Sequence, residues 1–186
     1  MKQTFPPLLL VSLALTPFAQ AEEFSRILVD SSSVEFVYKQ MGAPVAGRLK
    51  KFAAQFSFDP DKPASAKAVF DMNMASIDAG NQEANDEISK QAWFDTQAFP
   101  QAHFISTQIK ALGGNRYQVS GKMTIKGRTK EIAADFTYSR QNNAGVFDGG
   151  FTLNRSDFAI GDGAWADFDV VANEVVIRFH LLADAG

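Results

Sequence analysis

Apolar and polar residues alternate over several stretches of the chain, and AVFDMNM at residues 68–74 shows this pattern clearly. Every second position there is apolar: Ala68, Phe70, Met72 and Met74. Successive side chains point to opposite faces of a β-strand, so the alternation predicts a strand with one dry face and one wet face. The apolar faces of the strands could pack only against each other, or they could enclose a bound ligand.

Other segments alternate in the same way, and turns rich in Gly, Pro or Asn separate most of them. The pattern predicts eight strands, at about 34–41, 52–58, 66–77, 102–111, 116–126, 131–138, 146–154 and 173–182. Between strands three and four, a polar stretch predicts one helix at about 80–93, capped by Asn81 or Asp78. The short connections favour antiparallel pairing between neighbouring strands.

Long antiparallel strands with few features that protect a sheet edge predict a mainly β fold closed into an eight-stranded barrel. A two-sheet sandwich fits the same alternation and is the alternative. Side chains can just fill an eight-stranded barrel, or leave room for one small ligand. Five predicted inward positions hold small residues, which are Ala54, Ala68, Gly121, Ala134 and Gly149. Such residues could receive a neighbouring ring, mark a bulge or leave a channel.

The walls of such a channel would be the inward-facing apolar side chains. The candidates are Phe36, Phe52, Phe56, Phe70, Met72, Met74, Phe104, Met123, Ile125, Phe136 and Phe151. The chain has 17 Phe but only 3 Tyr and 2 Trp, and Phe adds apolar volume without a polar group. Methionine adapts to irregular shapes and suits tolerant binding surfaces. The same residues could instead fill a solid core.

The N-terminal segment, residues 1–21, has the features of a secretory signal peptide. Lys2 is followed by the apolar run 8–15, which is too short to span a bilayer, and by the cleavage site at 19–21. We therefore expect the mature chain, 22–186, to form one domain in the periplasm, with secretion as the alternative. The chain has no cysteine, so its stability must come without disulfides.

Charge and missing motifs exclude several classes of function. Removing Lys2 changes the net charge from −3 to −4, and no basic stripe suits a nucleic acid. The two histidines lack ligand partners at metal-binding spacing, and no nucleophile elbow, P-loop or dinucleotide fingerprint is present. Asp78, Asp86 and Asp95 flank the helix, where capping explains them better than acid–base catalysis. We expect no catalytic residue, no metal and no enzymatic activity.

Four segments, in this order along the chain, resemble the YceI-like family of polyisoprenoid-binding periplasmic proteins. They are residues 75–86, 93–107, 119–132 and 151–177. Two motifs carry most of the resemblance: F-D-x-x-x-F-P-x-A-x-F at 94–104 and G-x-x-T-I-x-G-x-T-K at 121–130. The chain departs from the family at two positions, with Ala79 where Thr is frequent and Ala159 where Gly is frequent.

The resemblance implies a lipocalin-like antiparallel barrel that encloses a long apolar tail. The guest would be an isoprenoid of quinone or polyprenyl-phosphate type, or a fatty amide, and no cofactor is implied beyond such a bound lipid, for example a polyisoprenoid or ubiquinone. The expected partners are this lipid and, transiently, a membrane that exchanges it; a homodimer stays open. A filled barrel that binds a membrane or redox partner is the main alternative, and a lipid-processing enzyme is another.

The polar head group of the guest would lie at the mouth of the barrel. A net charge of −4 does not attract an anion, which favours a neutral quinone over a pyrophosphate. The long segment near the C-terminus and the end of the helix supply the candidates for this mouth, which are Trp93, Asn154, Arg155, Asp157 and Trp165.

Overall fold

The computed structural model describes residues 23–185, so the predicted signal peptide lies outside the described residues. The first strands are β1 (Phe24–Ile27), β2 (Ser33–Gln40), β3 (Ala43–Leu49), β4 (Phe52–Ser57), β5 (Lys67–Asn73) and β6 (Ile77–Asp78). After helix α1 (Gln82–Ile88) come β7 (Gln101–Gly113), β8 (Arg116–Ile125), β9 (Arg128–Gln141), β10 (Ala144–Asn154) and β11 (Glu174–Ala185). Within 23–185, no helix is long and apolar enough to cross a membrane.

The strands form one 11-stranded antiparallel sheet in the order β4-β5-β7-β8-β9-β10-β11-β2-β3-β6, with β1 beside β11. The sheet curls back on itself, because β1 also meets the end of β4. Phe24 and Phe58 exchange two backbone hydrogen bonds there, each with an N···O distance of 2.9 Å. The predicted barrel-like, mainly β fold class with one helix is therefore confirmed.

The predicted count of eight strands is wrong, because β1, β3 and β6 were not expected. The strands β1 and β6 are too short to show a period, with 4 and 2 residues. In β3, Pro44 and Gly47 interrupt the apolar alternation. Gly47 faces Phe36 on β2, whose ring occupies the space that a side chain would need. Because Gly47 has no apolar side chain, the alternation from which a strand is predicted is broken at this position.

Helix α1 is shorter than the predicted 80–93. Its N-terminus is as predicted, because Asn81 Oδ1 accepts a hydrogen bond from the Ala84 N–H at 2.9 Å. After Ile88 the backbone continues in turns, in which Asp95 has a φ of +48°. These turns lead into β7 and lie across one end of the barrel.

A bulge explains why β7 shows the least regular alternation. The register of β7 against β8 shifts between Ser106 and Gln108. One extra residue reverses which side chains face inward. Phe104 and Ile109 are therefore both buried, although a regular strand would place residues 104 and 109 on opposite faces.

The end of the barrel opposite α1 is filled by aromatic rings. Phe24 and Phe58 are fully buried there. The Phe58 ring centroid lies 5.2 Å from Tyr117 and 5.1 Å from Phe147, both in edge-to-face geometry. We call this cluster, centred on Phe58, the aromatic plug. Because it fills this end of the barrel, a ligand would have to enter at another place.

Candidate functional site: an apolar interior

Two adjoining cavities lie inside the barrel. The helix-side cavity, of about 150 Å³, lies below α1 and the segment 155–172. The mid-barrel cavity, of about 120 Å³, lies between it and the aromatic plug. Five apolar residues line both cavities, and they are Val34, Met72, Met123, Phe151 and Ile177. One shared apolar wall therefore runs through the barrel interior.

All of the predicted channel residues lie on these walls. Those in the helix-side cavity alone are Phe36, Met74 and Ile125. Those in the mid-barrel cavity alone are Phe52, Phe56, Phe70, Phe104 and Phe136. Met72, Met123 and Phe151 line both. Contact of these residues with a ligand stays a prediction.

The small inward residues have two separate roles. A Cβ added at Gly121 would lie 2.5 Å from the Phe104 ring, and one at Gly149 would lie 2.5 Å from the Phe179 ring. The absence of a side chain at these two glycines therefore makes room for the neighbouring rings, which can lie against the wall of the barrel. Ala68 and Ala134, by contrast, line the mid-barrel cavity directly.

Arg155, a predicted head-group residue, is a structural anchor. Its side chain is 2% exposed. Its guanidinium donates hydrogen bonds to the backbone carbonyls of Ile160, Gly161, Trp165, Val171 and Ala172. Burial lowers the pKa of Arg155, but an arginine stays charged in proteins. Because all its nitrogens already donate to carbonyls, the guanidinium has little capacity left for a head group.

Two of the other four predicted mouth residues, Trp93 and Trp165, lie beside Arg155, and two do not. Trp93 lines the helix-side cavity, with its ring centroid 5.5 Å from that of Trp165. Trp165 Nε1 donates to Glu87 Oε1 at 3.0 Å. Asn154 and Asp157 are exposed and line neither cavity. The binding roles of these residues stay predictions, and of the five predicted mouth residues Trp93 and Arg155 line a cavity.

A negative charge lies beside these two tryptophans. A hydrogen bond from Lys90, and then one from Trp165, lowers the pKa of the Glu87 carboxyl, so it is ionised at neutral pH. Because Lys90 forms an ion pair with Glu87, the charge of this carboxylate is balanced locally.

The hairpin between β8 and β9 helps to close this end. Lys126 and Gly127 both have positive φ, as a two-residue hairpin turn of this kind requires. Lys126 Nζ donates to the backbone carbonyls of Gln91 and Ala159, each at 2.7 Å. This lysine ties the chain after α1 to the segment 155–172.

Both departures from the family pattern lie near the helix-side cavity. Ala79 is buried and lines it, so this wall has no hydroxyl group where Thr is frequent. Ala159 has a φ of +51°, in the left-handed region that favours glycine. The structure thus gives a physical reason for glycine at that position.

The sequence did not identify several wall residues of the helix-side cavity. Leu49, Ile77, Ile88 and Val171 lie in β3, in β6, at the end of α1 and in the aperiodic segment after β10. Short or irregular elements give no period from which to infer direction. Only their apolar character, in otherwise polar surroundings, could have indicated burial.

The polar chemistry of the barrel is mostly on its outer surface. His103 pairs with Asp71, and His180 with Asp148, each at 2.6 Å. Between residues 23 and 185, no group of three or more acidic or histidine side chains could hold a metal ion. Asp78 pairs with Lys50, so it is engaged in an ion pair at the surface.

A curled antiparallel sheet around an apolar cavity defines a barrel protein with a hydrophobic interior. Within that class, the sequence profile of the YceI-like domain matches residues 26–183, and the chain belongs to this family. A UPF0312 protein of Pseudomonas savastanoi is 32% identical over 135 residues, covering 68% of this chain and 70% of that protein. A UPF0312 protein of Shewanella baltica is 30% identical over 168 residues, covering 87% and 86%.

Solved structures show the same fold. The crystal structure of Burkholderia cenocepacia BcnA has a TM-score of 0.82 at 41% identity, covering 84% of this chain and 99% of that one. A YCEI protein of Campylobacter jejuni has a TM-score of 0.71 at 19% identity, covering 77% and 86%. A polyisoprenoid binding domain from Saccharophagus degradans has a TM-score of 0.68 at 12% identity, covering 90% and 100%. The last two show likeness of fold alone.

Proposed function

We propose that this protein is a non-enzymatic carrier that encloses the tail of a long-chain amphiphile, an isoprenoid of quinone or polyprenyl type. The observation that carries the proposal is the apolar wall shared by two adjoining cavities. In this proposal the signal peptide directs the chain to the periplasm, where the carrier exchanges lipid with a membrane. The solved domain from Saccharophagus degradans, described as polyisoprenoid binding, supports the choice of ligand class.

The energetics of tail burial suit exchange. Burying each methylene releases about 0.8 kcal/mol relative to water, so the apolar walls favour a hydrocarbon chain strongly over solvent. A bilayer offers nearly the same gain. The net preference of the protein over the membrane is therefore small, as a carrier that must release its lipid requires.

Organic extraction tests the proposal on protein purified from its native compartment, with mass spectrometry of the extract. We expect a stoichiometric long-chain lipid. Ala134→Phe would place a ring in the mid-barrel cavity, which Ala134 lines, and should reduce the lipid several-fold. Ala133→Phe is the matched control, because Ala133 is exposed on the outer face of the same strand.

A second candidate is a filled barrel that serves as a structural or interaction module for a membrane or redox partner. The aromatic plug around Phe58 favours it, because this end of the barrel is packed with aromatic rings. This candidate predicts an extract without stoichiometric lipid, and that result would overturn the carrier proposal. If wild type and Ala134→Phe bind the same amount of lipid, the lipid binds outside the barrel.

A further inference from the structure

A polar groove lies on the surface beside the helix-side cavity. Its volume is about 500 Å³, and it runs between α1 and the chain from Asn73 to Ile77. Unlike the two interior cavities, it is lined by polar and apolar groups in about equal measure. Its charged residues are Lys50 and Lys51 on one side and Asp86 on the helix.

The groove and the helix-side cavity share part of their walls. Met74, Ile77 and Ile88 line both spaces. Met74 lies in a short 3₁₀ turn, and β6, which holds Ile77, pairs with β3 through only two residue pairs. Methionine adapts its shape readily, so this part of the wall is suited to opening.

The local charge of the groove differs from that of the whole chain. Asp78 Oδ2 lies 2.9 Å from Lys50 Nζ and 3.5 Å from the Arg48 guanidinium, so one carboxylate faces two cations. Lys51 is exposed and forms no ion pair within residues 23–185. Asp86, on the opposite side, accepts a hydrogen bond from the Gln82 amide. One cationic charge therefore remains in excess beside the groove.

We propose that this groove binds the phosphate head group of an amphiphile, with Lys51 as its principal cation and Lys50 beside it. The tail would enter the helix-side cavity between Met74, Ile77 and Ile88. This inference rests on the proposed function, since it assigns the head group of the same ligand.

The net charge of −4 does not oppose this assignment. Exposed charges farther apart than about 10 Å are largely screened at ordinary ionic strength. The nearest groups therefore decide the affinity for a phosphate, and these are the three basic side chains and the carboxylates of Asp78 and Asp86. The net charge of the protein affects the rate at which a charged ligand approaches more than it affects the affinity of the bound ligand.

Two ligands with the same tail separate the head-group site from tail binding. Geranylgeranyl phosphate and geranylgeraniol are titrated against wild type, Lys51→Glu and Lys51→Gln. We expect wild type to prefer the phosphate. Lys51→Glu should lower that preference about fivefold, and Lys51→Gln by less, because a single exposed ion pair contributes up to about 1 kcal/mol. The control is Lys110→Glu, at an exposed lysine near the far end of β7.

The possible results are distinguishable. If both ligands bind but the preference is the same in wild type and Lys51→Glu, the groove assignment is wrong and the carrier proposal stands. If Lys51→Glu weakens both ligands equally, the assignment is also wrong, because Lys51 then acts on the tail or the fold. If neither ligand binds wild type, the carrier proposal itself fails.

Discussion

At the residue scale, Arg155 shows how a charged side chain can serve folding in a binding protein. Its guanidinium is buried and bonded only to backbone carbonyls of the segment that covers the helix-side cavity. Carbonyls in such a segment have no strand partners, so a multi-donor side chain satisfies them together. Arg155 thus helps to fix this segment over the cavity, together with the hydrogen bonds that Lys126 and Trp165 form.

Arg155→Lys should therefore destabilise the protein although it keeps the charge. Lysine has one donor group in place of the guanidinium fork, which leaves several buried carbonyls unsatisfied at about 1–3 kcal/mol each. We expect a loss of at least about 3 kcal/mol in the free energy of unfolding, measured by urea denaturation. Arg116→Lys, at an exposed arginine on β8, should change it little. Equal small effects of both variants would show that the bonds of Arg155 are dispensable.

At the scale of elements, β6 is held by an ion pair as well as by sheet pairing. It pairs with β3 only through Arg48↔Asp78 and Leu49↔Ile77. A hydrogen bond from Lys50, and then one from the Gly80 N–H, lowers the pKa of Asp78. The ionised carboxylate thus helps to hold the wall between groove and cavity.

This arrangement predicts a pH dependence of stability. Because the pKa of Asp78 is lower in the folded than in the unfolded protein, its contribution is present above about pH 4 and is lost as pH falls through the folded pKa. Urea denaturation at about pH 6 and pH 3 should show a smaller acid-induced loss for Asp78→Asn than for wild type. Asp157→Asn is the control, because Asp157 contacts Lys130 only at 3.9 Å. The same acid-induced loss in Asp78→Asn and wild type would contradict this account.

The elements also show what the sequence could reveal. Regular alternation in strands such as β5 and β8 predicted both the strands and the inward side chains, because the period of two assigns every residue to a face. The predicted channel residues consequently lie on cavity walls. The bulge in β7 and the glycine in β3 break the period for packing reasons that act between strands, so the sequence of one strand cannot show them.

The residues at the mouth of the barrel were harder to predict, because their segment also lacks a regular alternation. Residues 155–172 have no period, so nothing in the sequence indicated that Arg155 points inward while Asp157 points outward. Lys50 and Lys51 were visible as charges near a turn. Their place beside the cavity follows from the pairing of β3 with β6, which only the folded chain brings together.

At the scale of the whole molecule, the barrel has one filled end and one hollow end. The aromatic plug at one end stabilises the sheet closure between Phe24 and Phe58. The cavities lie toward the other end, where α1, the β8–β9 turn and the segment 155–172 meet. A guest would therefore lie with its tail toward the plug and its head toward the α1 end.

The most direct test of the hollow barrel is the dependence of affinity on tail length, measured by titration with geraniol, farnesol and geranylgeraniol. These alcohols share one head group, so any difference between them comes from the tail. We predict that affinity rises from geraniol to geranylgeraniol as the tail extends from the helix-side cavity into the mid-barrel cavity. Affinities that are absent, or equal for all three, would contradict the proposal that the interior holds a long hydrocarbon chain.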